Sequence, residues 1–157
     1  MEHKQLLTVF NSLPVGIGFF TADGTLVRCN ESFCRIFGAD SQTLLGNKLN
    51  INENSVVPDV VKEAVRRCVP VQMSFLYDFD KQRTDKRFFS TRTRTCYLKC
   101  NGNPLYDNDG KFVNYIFIFE DITETVKSEE VLRQSRRKTE LAMKAANIMF
   151  WEFDAVP

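Results

Sequence analysis

The hydrophobic positions change period several times along the chain, and each change marks an element. Leu6, Phe10 and Leu13 recur at helical spacing, which predicts a short amphipathic helix ended by Pro14. The runs VGIGFFT and TLVRC flank Asp23-Gly24, a pattern of two short strands joined by a two-residue hairpin turn. Asn30 heads the helical stretch NESFCRIFG, where Phe33 and Phe37 share a face and Gly38 supplies the stop. Ser41 is expected to cap a further short helix, SQTLLG, and NKLNINENSVV reads as a polar loop. Pro58 suits the first turn of PDVVKEAVRRC, with Val61, Val65 and Cys68 on one face.

Beyond Pro70 the period becomes two. In VQMSFLYDF the residues Val71, Met73, Phe75, Tyr77 and Phe79 alternate with a more polar set, so one face is buried. After a charged connector, KQRTDKR, the stretch FFSTRTRTCYLKC puts Cys96, Leu98 and Cys100 in one phase. That phase also turns Arg92 and Arg94 inward, so either the strand overhangs the core or a bulge resets it. Asn108-Asp109-Gly110 forms the next turn, and KFVNYIFIFE is the last strand. It is apolar on both sides, with Val113, Tyr115, Phe117 and Phe119 on one and Phe112, Ile116 and Ile118 on the other. An antiparallel strand with one wet face does not look like this. The helix carrying Leu6, Phe10 and Leu13, or a second copy of the chain, is expected to cover the outer set.

From Thr123 to Glu140 nine of eighteen residues are charged, with neither Gly nor Pro. Asp121 and Glu124 form a capping-box pattern, and Ile122, Val126 and Leu132 supply only a thin apolar seam. A helix that buries so little is marginal alone, which suggests a coiled-coil-like connector completed by a second chain. LAMKAANIMFWEFD then echoes LLTVFNSLPVGIGFFTAD: apolar helix, polar break, aromatic strand ending in Asp. The organisation read from these patterns is a flanking helix over 1–14, a folded domain over 15–122, a charged linker helix over 123–140, and the truncated start of a second domain over 141–157.

Composition removes several functions. At 157 residues the chain can bury a core without disulfides or metal, and its net charge of +1 argues against nucleic-acid binding as the default. The basic stretch Lys81 to Lys99 could hold an anion or nucleic acid, but such runs are more often a solvated hairpin end. No segment is long and apolar enough to span a membrane, and MEHKQLLTVFNSLP lacks the features of a secretory signal. Cys29, Cys34, Cys68, Cys96 and Cys100 are odd in number with no Cys-x-x-Cys, which fits reduced thiols and a cytoplasmic location, with or without membrane attachment elsewhere in a parent protein. Cys96 and Cys100 point inward by period and read as ordinary buried thiols. The only histidine, His3, leaves no basis for a zinc site, a His-based triad or histidine-ligated haem in the domain.

Three segments in register carry a family resemblance: Asn30-Glu31-Ser32-Phe33 through Phe37-Gly38 to Leu44-Leu45-Gly46, then Gly102 to Asp107 with Asp109-Gly110, then Asp121-Ile122-Thr123. Together they resemble a PAS domain with its C-terminal PAC-type part, over about Leu6 to Thr139. The resemblance implies an α+β fold: a five-stranded antiparallel sheet in the order 2-1-5-4-3 with short helices on one face. It also implies a sensory and dimerisation module of a bacterial two-component histidine kinase with tandem PAS domains. A PAS interaction module of a diguanylate cyclase or transcriptional regulator is the alternative, ahead of a small-molecule enzyme. No catalytic residue is expected in the chain.

The resemblance places a pocket between sheet and helices, lined by Val61, Val65, Cys68, Met73, Phe75, Leu98 and Cys100, where a small ligand of unknown identity competes with simple filling by phenylalanine. Asp121, Ile122 and Thr123 become the signal junction. Haem-binding members use a histidine absent here. Phe33-Cys34-Arg35-Ile36-Phe37 only faintly resembles the flavin-adduct motif and lies on another helix, so neither cofactor, nor any metal, is expected. The implied partners are a second copy of the chain and neighbouring PAS and kinase domains, with no nucleic acid.

Overall fold

The computed structural model describes residues 2–82 and 90–153. Contacts divide the chain into two compact units, the first ending at Ile122 and the second beginning at Thr123. In the first, α1 (Glu2–Ser12) leads into β1 (Gly16–Phe20) and β2 (Leu26–Cys29), followed by α2 (Glu31–Phe37), α3 (Ser41–Gly46) and α4 (Asp59–Arg67). Then come β3 (Val71–Asp78), the single turn α5 (Phe79–Gln82), β4 (Thr95–Tyr106) and β5 (Phe112–Asp121). The five strands form one antiparallel sheet in the order β2-β1-β5-β4-β3, as the resemblance implies.

One buried side chain joins the first elements. Asn30 is 1% exposed, and its Oδ1 accepts from the backbone N–H of Ile17 (2.8 Å) and of Phe33 (2.9 Å). Its Nδ2 donates to the carbonyls of Phe10 (3.0 Å) and Val15 (2.9 Å). Two acceptor sites and two donors are the full capacity of an amide side chain. Asn30 thereby caps α2, holds the start of β1 and fixes the last turn of α1. Ser32 adds a bond to the carbonyl of Leu13 (2.5 Å) and receives Arg35 Nη2 (2.7 Å).

The helices follow their local chemistry. Gly38 ends α2 at φ +65°, and its carbonyl accepts from Thr91 N–H (2.7 Å). Asp40, not Ser41, caps α3: its carboxylate receives the N–H and hydroxyl of Thr43, which hold its pKa below the ordinary value. In α4 the buried Val61, Ala64 and Val65 follow the i, i+3, i+4 spacing, while Glu63 on the wet side pairs with Arg66 (3.0 Å) and Arg67 (2.7 Å).

The sheet corrects several expectations. The β1–β2 connection is not a two-residue turn. Five residues, Thr21 to Thr25, separate the strands, Thr21 N–H bonds the Thr25 carbonyl, and only Gly24 of the Asp23-Gly24 pair has positive φ (+87°). A two-residue type I′ turn needs positive φ at both positions. Phe79 leaves the strand period and starts α5, where it is still buried. β4 begins at Thr95, so Arg92 and Arg94 precede it: Arg94 at φ +71° breaks the extended backbone, which answers the inward-arginine conflict with neither overhang nor bulge. Phe88, Phe89 and most of the connector lie outside the described residues. In β5 the register slips where Tyr106 pairs with Phe112 but Leu105 pairs with Asn114. The extra residue, Val113, turns outward at 51% exposure, and Phe112 packs against the core, opposite to the faces its period assigns.

Gly102 of β4 lies opposite Phe117, and a Cβ there would strike the rings of Phe117 and Tyr115. Its missing side chain lets the β5 aromatics lie flat over the strand. The second unit is a single helix, α6 (Thr123–Phe153). Leu141 to Phe153 continue it without the break and aromatic strand that the sequence echo predicts, and Asp154 lies outside the described residues. No helix among the described residues is long and apolar enough to cross a membrane.

Replacing Asn30 by Ala strips four backbone groups of their partner, two in buried and two in part-buried bonds, and should cost about 3 kcal/mol or more in urea unfolding of the chain. A loss below about 1 kcal/mol would show that water or backbone shifts replace those bonds.

Candidate functional site

The space between sheet and helices is walled by aromatic rings. Phe33 and Phe37, one turn apart on α2, have centroids 4.5 Å apart, and Phe37 meets Phe119 edge-on at 5.2 Å and Tyr77 at 5.6 Å. Phe20 from β1 reaches Phe117 at 5.5 Å. Edge-to-face contacts at these distances add to the burial of the rings themselves. Among the described residues, what remains open between them is a cavity of about 20 Å³ bordered by Phe20, Phe33, Phe37, Tyr77 and Phe119 and by Ile51, Val57, Val61 and Phe75. That is room for about one water, whereas pockets for drug-sized ligands run to several hundred Å³.

Of the seven residues expected to line a pocket, Val61 and Phe75 border this cavity. Val65, Leu98 and Cys100 are buried in the same core without reaching it, and Met73 sits half-buried at its margin. Cys68 caps the end of α4 in a left-handed conformation. Sequence periodicity missed the α2 rings and the loop residues Leu49, Ile51, Asn54 and Val57. The Asn-rich run that made this segment read as loop was the available signal. Asn50 and Asn52 bond the Asp23 carbonyl (3.1 and 2.8 Å), which draws the loop onto the β1–β2 turn.

Polar atoms gather at one end of the cavity. Asn54 Nδ2 donates to the Tyr77 hydroxyl (3.0 Å), which donates to Gln82 Oε1 (2.6 Å), and all three residues are buried. Burial raises the Tyr77 pKa above its ordinary value, so the phenol stays a donor. Cys96 and Cys100 are each pushed up to about 11 by burial, as expected of inert thiols. No cluster of three or more potential metal-ligating side chains occurs among the described residues.

A second constellation links α2 to the end of the sheet. Arg92 Nη1 donates to the Ile36 carbonyl (2.9 Å) and Nη2 to Asp121 Oδ2 (2.9 Å), while the guanidinium lies 5.1 Å from the centroid of the Phe79 ring. The backbone N–H of Arg92 bonds Ser90 Oγ (3.0 Å), whose hydroxyl donates to the Phe37 carbonyl (2.7 Å). Asp121 is the last residue of β5, Ile122 N–H bonds the Tyr97 carbonyl (2.9 Å), and Thr123 is the first residue of α6. Lys99 lies 3.9 Å from Glu120, so two described cations of the basic stretch, Arg92 and Lys99, face carboxylates within the domain.

The opposite face of the sheet carries Ile17 and Phe19 in register with Ile118 and Ile116. Phe10 of α1 packs on Phe19 at 6.0 Å, with the Arg28 guanidinium 5.2 Å from its centroid. Leu13 lies just past α1 and is half-buried, as are Ile116 and Ile118, whereas Leu6 stays 68% exposed. Phe112, expected on this face, is on the other.

The family model described as PAS fold matches residues 10–127. The probable diguanylate cyclase DgcE of Escherichia coli K12 is 21% identical over 143 residues, covering 91% of this chain and 12% of that protein. Among solved structures, a PAS domain from Colwellia psychrerythraea superposes with a TM-score of 0.59 at 15% identity, over 79% of this chain and 99% of the other. The PAS domain of a two-component sensor histidine kinase gives 0.56 at 14%, over 76% and 96%.

Burial also raises Tyr115 to about 12, and each shifted group holds its proton more tightly when folded. Their contribution is complete below the ordinary values, 9 for the thiols and 10 for the phenol, and is lost as pH rises toward the folded ones. The melting temperature should therefore fall increasingly steeply above about pH 9, less so in Cys100→Ala. A melting temperature unchanged between about pH 8.5 and 10.5 would contradict this account.

Proposed function

This chain belongs to the PAS fold family, and we propose that it is the non-catalytic input module of a larger signalling protein, relaying the state of its aromatic cavity to an effector through Asp121. The observation that carries the proposal is Arg92. One guanidinium touches the carbonyl end of α2, whose Phe33 and Phe37 form the cavity wall, and the carboxylate that closes β5. A shift of α2, driven by a ligand or partner that prefers one packing, must lengthen one of these bonds or carry Asp121 along. Buried packing of this kind changes between discrete arrangements separated by a few kcal/mol. Ile122 and Thr123 follow in sequence, so α6 starts where the displacement arrives.

The effector we propose is a histidine kinase, on the family resemblance and the likeness to a sensor-kinase PAS domain. The match to DgcE supports a second reading, a diguanylate cyclase. Incubating the whole parent protein separately with labelled ATP and GTP distinguishes them: a phosphorylated protein supports the first and a cyclic dinucleotide the second. The chain spans only 12% of DgcE. The further expectations stand as proposals: a cytoplasmic module, a homodimer formed through the exposed side of α1 and the half-buried Ile116 and Ile118, and a second PAS domain opening within 141–157.

In the parent protein, Asp121→Ala and Arg92→Gln should each change the output several-fold, and the double variant should change it no more than the stronger single one. Unchanged output in both single variants rules out the relay. Ile116→Asp should shift this chain from dimer to monomer in sedimentation equilibrium, and an unaltered mass rejects that interface.

A further inference from the structure

The odd cysteine count points to reduced thiols, and two of the five meet. Cys29, the last residue of β2, and Cys34, in α2, have sulfurs 3.8 Å apart, and both residues are only half-buried. Their spacing of five residues brackets Asn30, whose four bonds fix the corner between strand and helix. The contact therefore rests on the best-anchored part of the backbone. Cys96 and Cys100, in contrast, are fully buried, and the Cys68 thiol bonds the carbonyl of Val65.

We propose that Cys29 and Cys34 are a dithiol site that closes reversibly to a disulfide when the protein meets a hydroperoxide. A disulfide needs the sulfurs about 2.05 Å apart, so they must approach by about 1.8 Å, within reach of side-chain rotation and a small shift of the α2 turn. Either sulfur can donate in the 3.8 Å contact between them. Burial pushes Cys29 up to about 12 and raises Cys34 too, with the carboxylates of Asp40 and Glu31 adding to the latter.

Burial raises Cys29 the more, so Cys34 is taken as the nucleophile, and closure is slow at neutral pH because both thiols are raised. Its thiolate attacks one peroxide oxygen, the O–O bond breaks, and the departing hydroxide takes up the proton released by Cys34, leaving a sulfenic acid and one water. Cys29 sulfur then displaces the hydroxyl from Cys34: the S–S bond forms, the S–O bond breaks, and the hydroxyl leaves with the Cys29 proton as a second water. Two thiols are oxidised by two electrons and the peroxide is reduced by two.

The chain itself simplifies the test. Arg28 and Arg35 flank the pair, so trypsin releases both cysteines in one peptide, and Glu31 between them allows a second cleavage. The native chain is treated with hydrogen peroxide, remaining thiols are blocked with iodoacetamide after unfolding, and the digest is mapped without reduction. The expected result is the 29–35 peptide lighter by two hydrogens, still joined after cleavage at Glu31, restored by dithiothreitol, while Cys68, Cys96 and Cys100 remain alkylated. In Cys29→Ser the same treatment should stop at a sulfenic acid on Cys34 that dimedone traps, with circular dichroism confirming the fold. The proposal is overturned if both cysteines of the wild-type chain stay alkylatable, if Cys34 passes to sulfinic acid without the link, or if other cysteines couple first.

Discussion

Everything in the first unit hangs on a buried amide that has no bond left to make. Asn30 satisfies two N–H groups and two carbonyls where α1 ends, β1 begins and α2 starts. An unpaired buried backbone group costs more than a typical hydrogen bond gains, so these contacts act less as adhesive than as a constraint on geometry. Meeting all four bonds at once restricts how the three elements can be arranged. The arrangement found turns Phe33 and Phe37 toward the sheet and sets the Ile36 carbonyl where Arg92 can reach it.

The cavity and the junction are consequences of this placement. Rings from α2, β1, β3 and β5 close around a volume fit for about one water, so the site in this conformation is a packed core with a polar end at Asn54, Tyr77 and Gln82. A close-packed interior transmits displacement because its side chains have few empty places to go. Arg92 stands at the rim of that packing with a carbonyl of α2 on one side and Asp121 on the other. Sensing by a PAS module then requires no catalytic group, only two packings of nearly equal free energy.

Local patterns exposed much of this beforehand. Asn30 as cap, Gly38 as stop, the inward face of α4 and the alternation of β3 are all set by residues within a turn or two of one another, and each is found in place. The errors share a different cause. Val113 and Phe112 exchange faces because β5 pairs with Tyr106 across a bulge, a register that no run of β5 alone encodes. Arg92 read as misplaced within a strand because its partners, Ile36 and Asp121, are 56 and 29 residues away. The cavity lining was half missed because α2 and the 49–57 loop contribute through approach in space, whereas periodicity names only which face of an element is apolar.

The sequence by itself determined the order of the five strands and of α1 to α4, the resemblance to a family and most of the side chains that must leave water, because hydrophobic period, caps and turn residues act over a few positions. Tertiary structure decided which of those side chains touch. It brought Cys29 to Cys34 and Arg92 to Asp121, and it shrank an expected pocket to a single water's space, since register, strand bulges and the fit of rings depend on groups far apart in the chain.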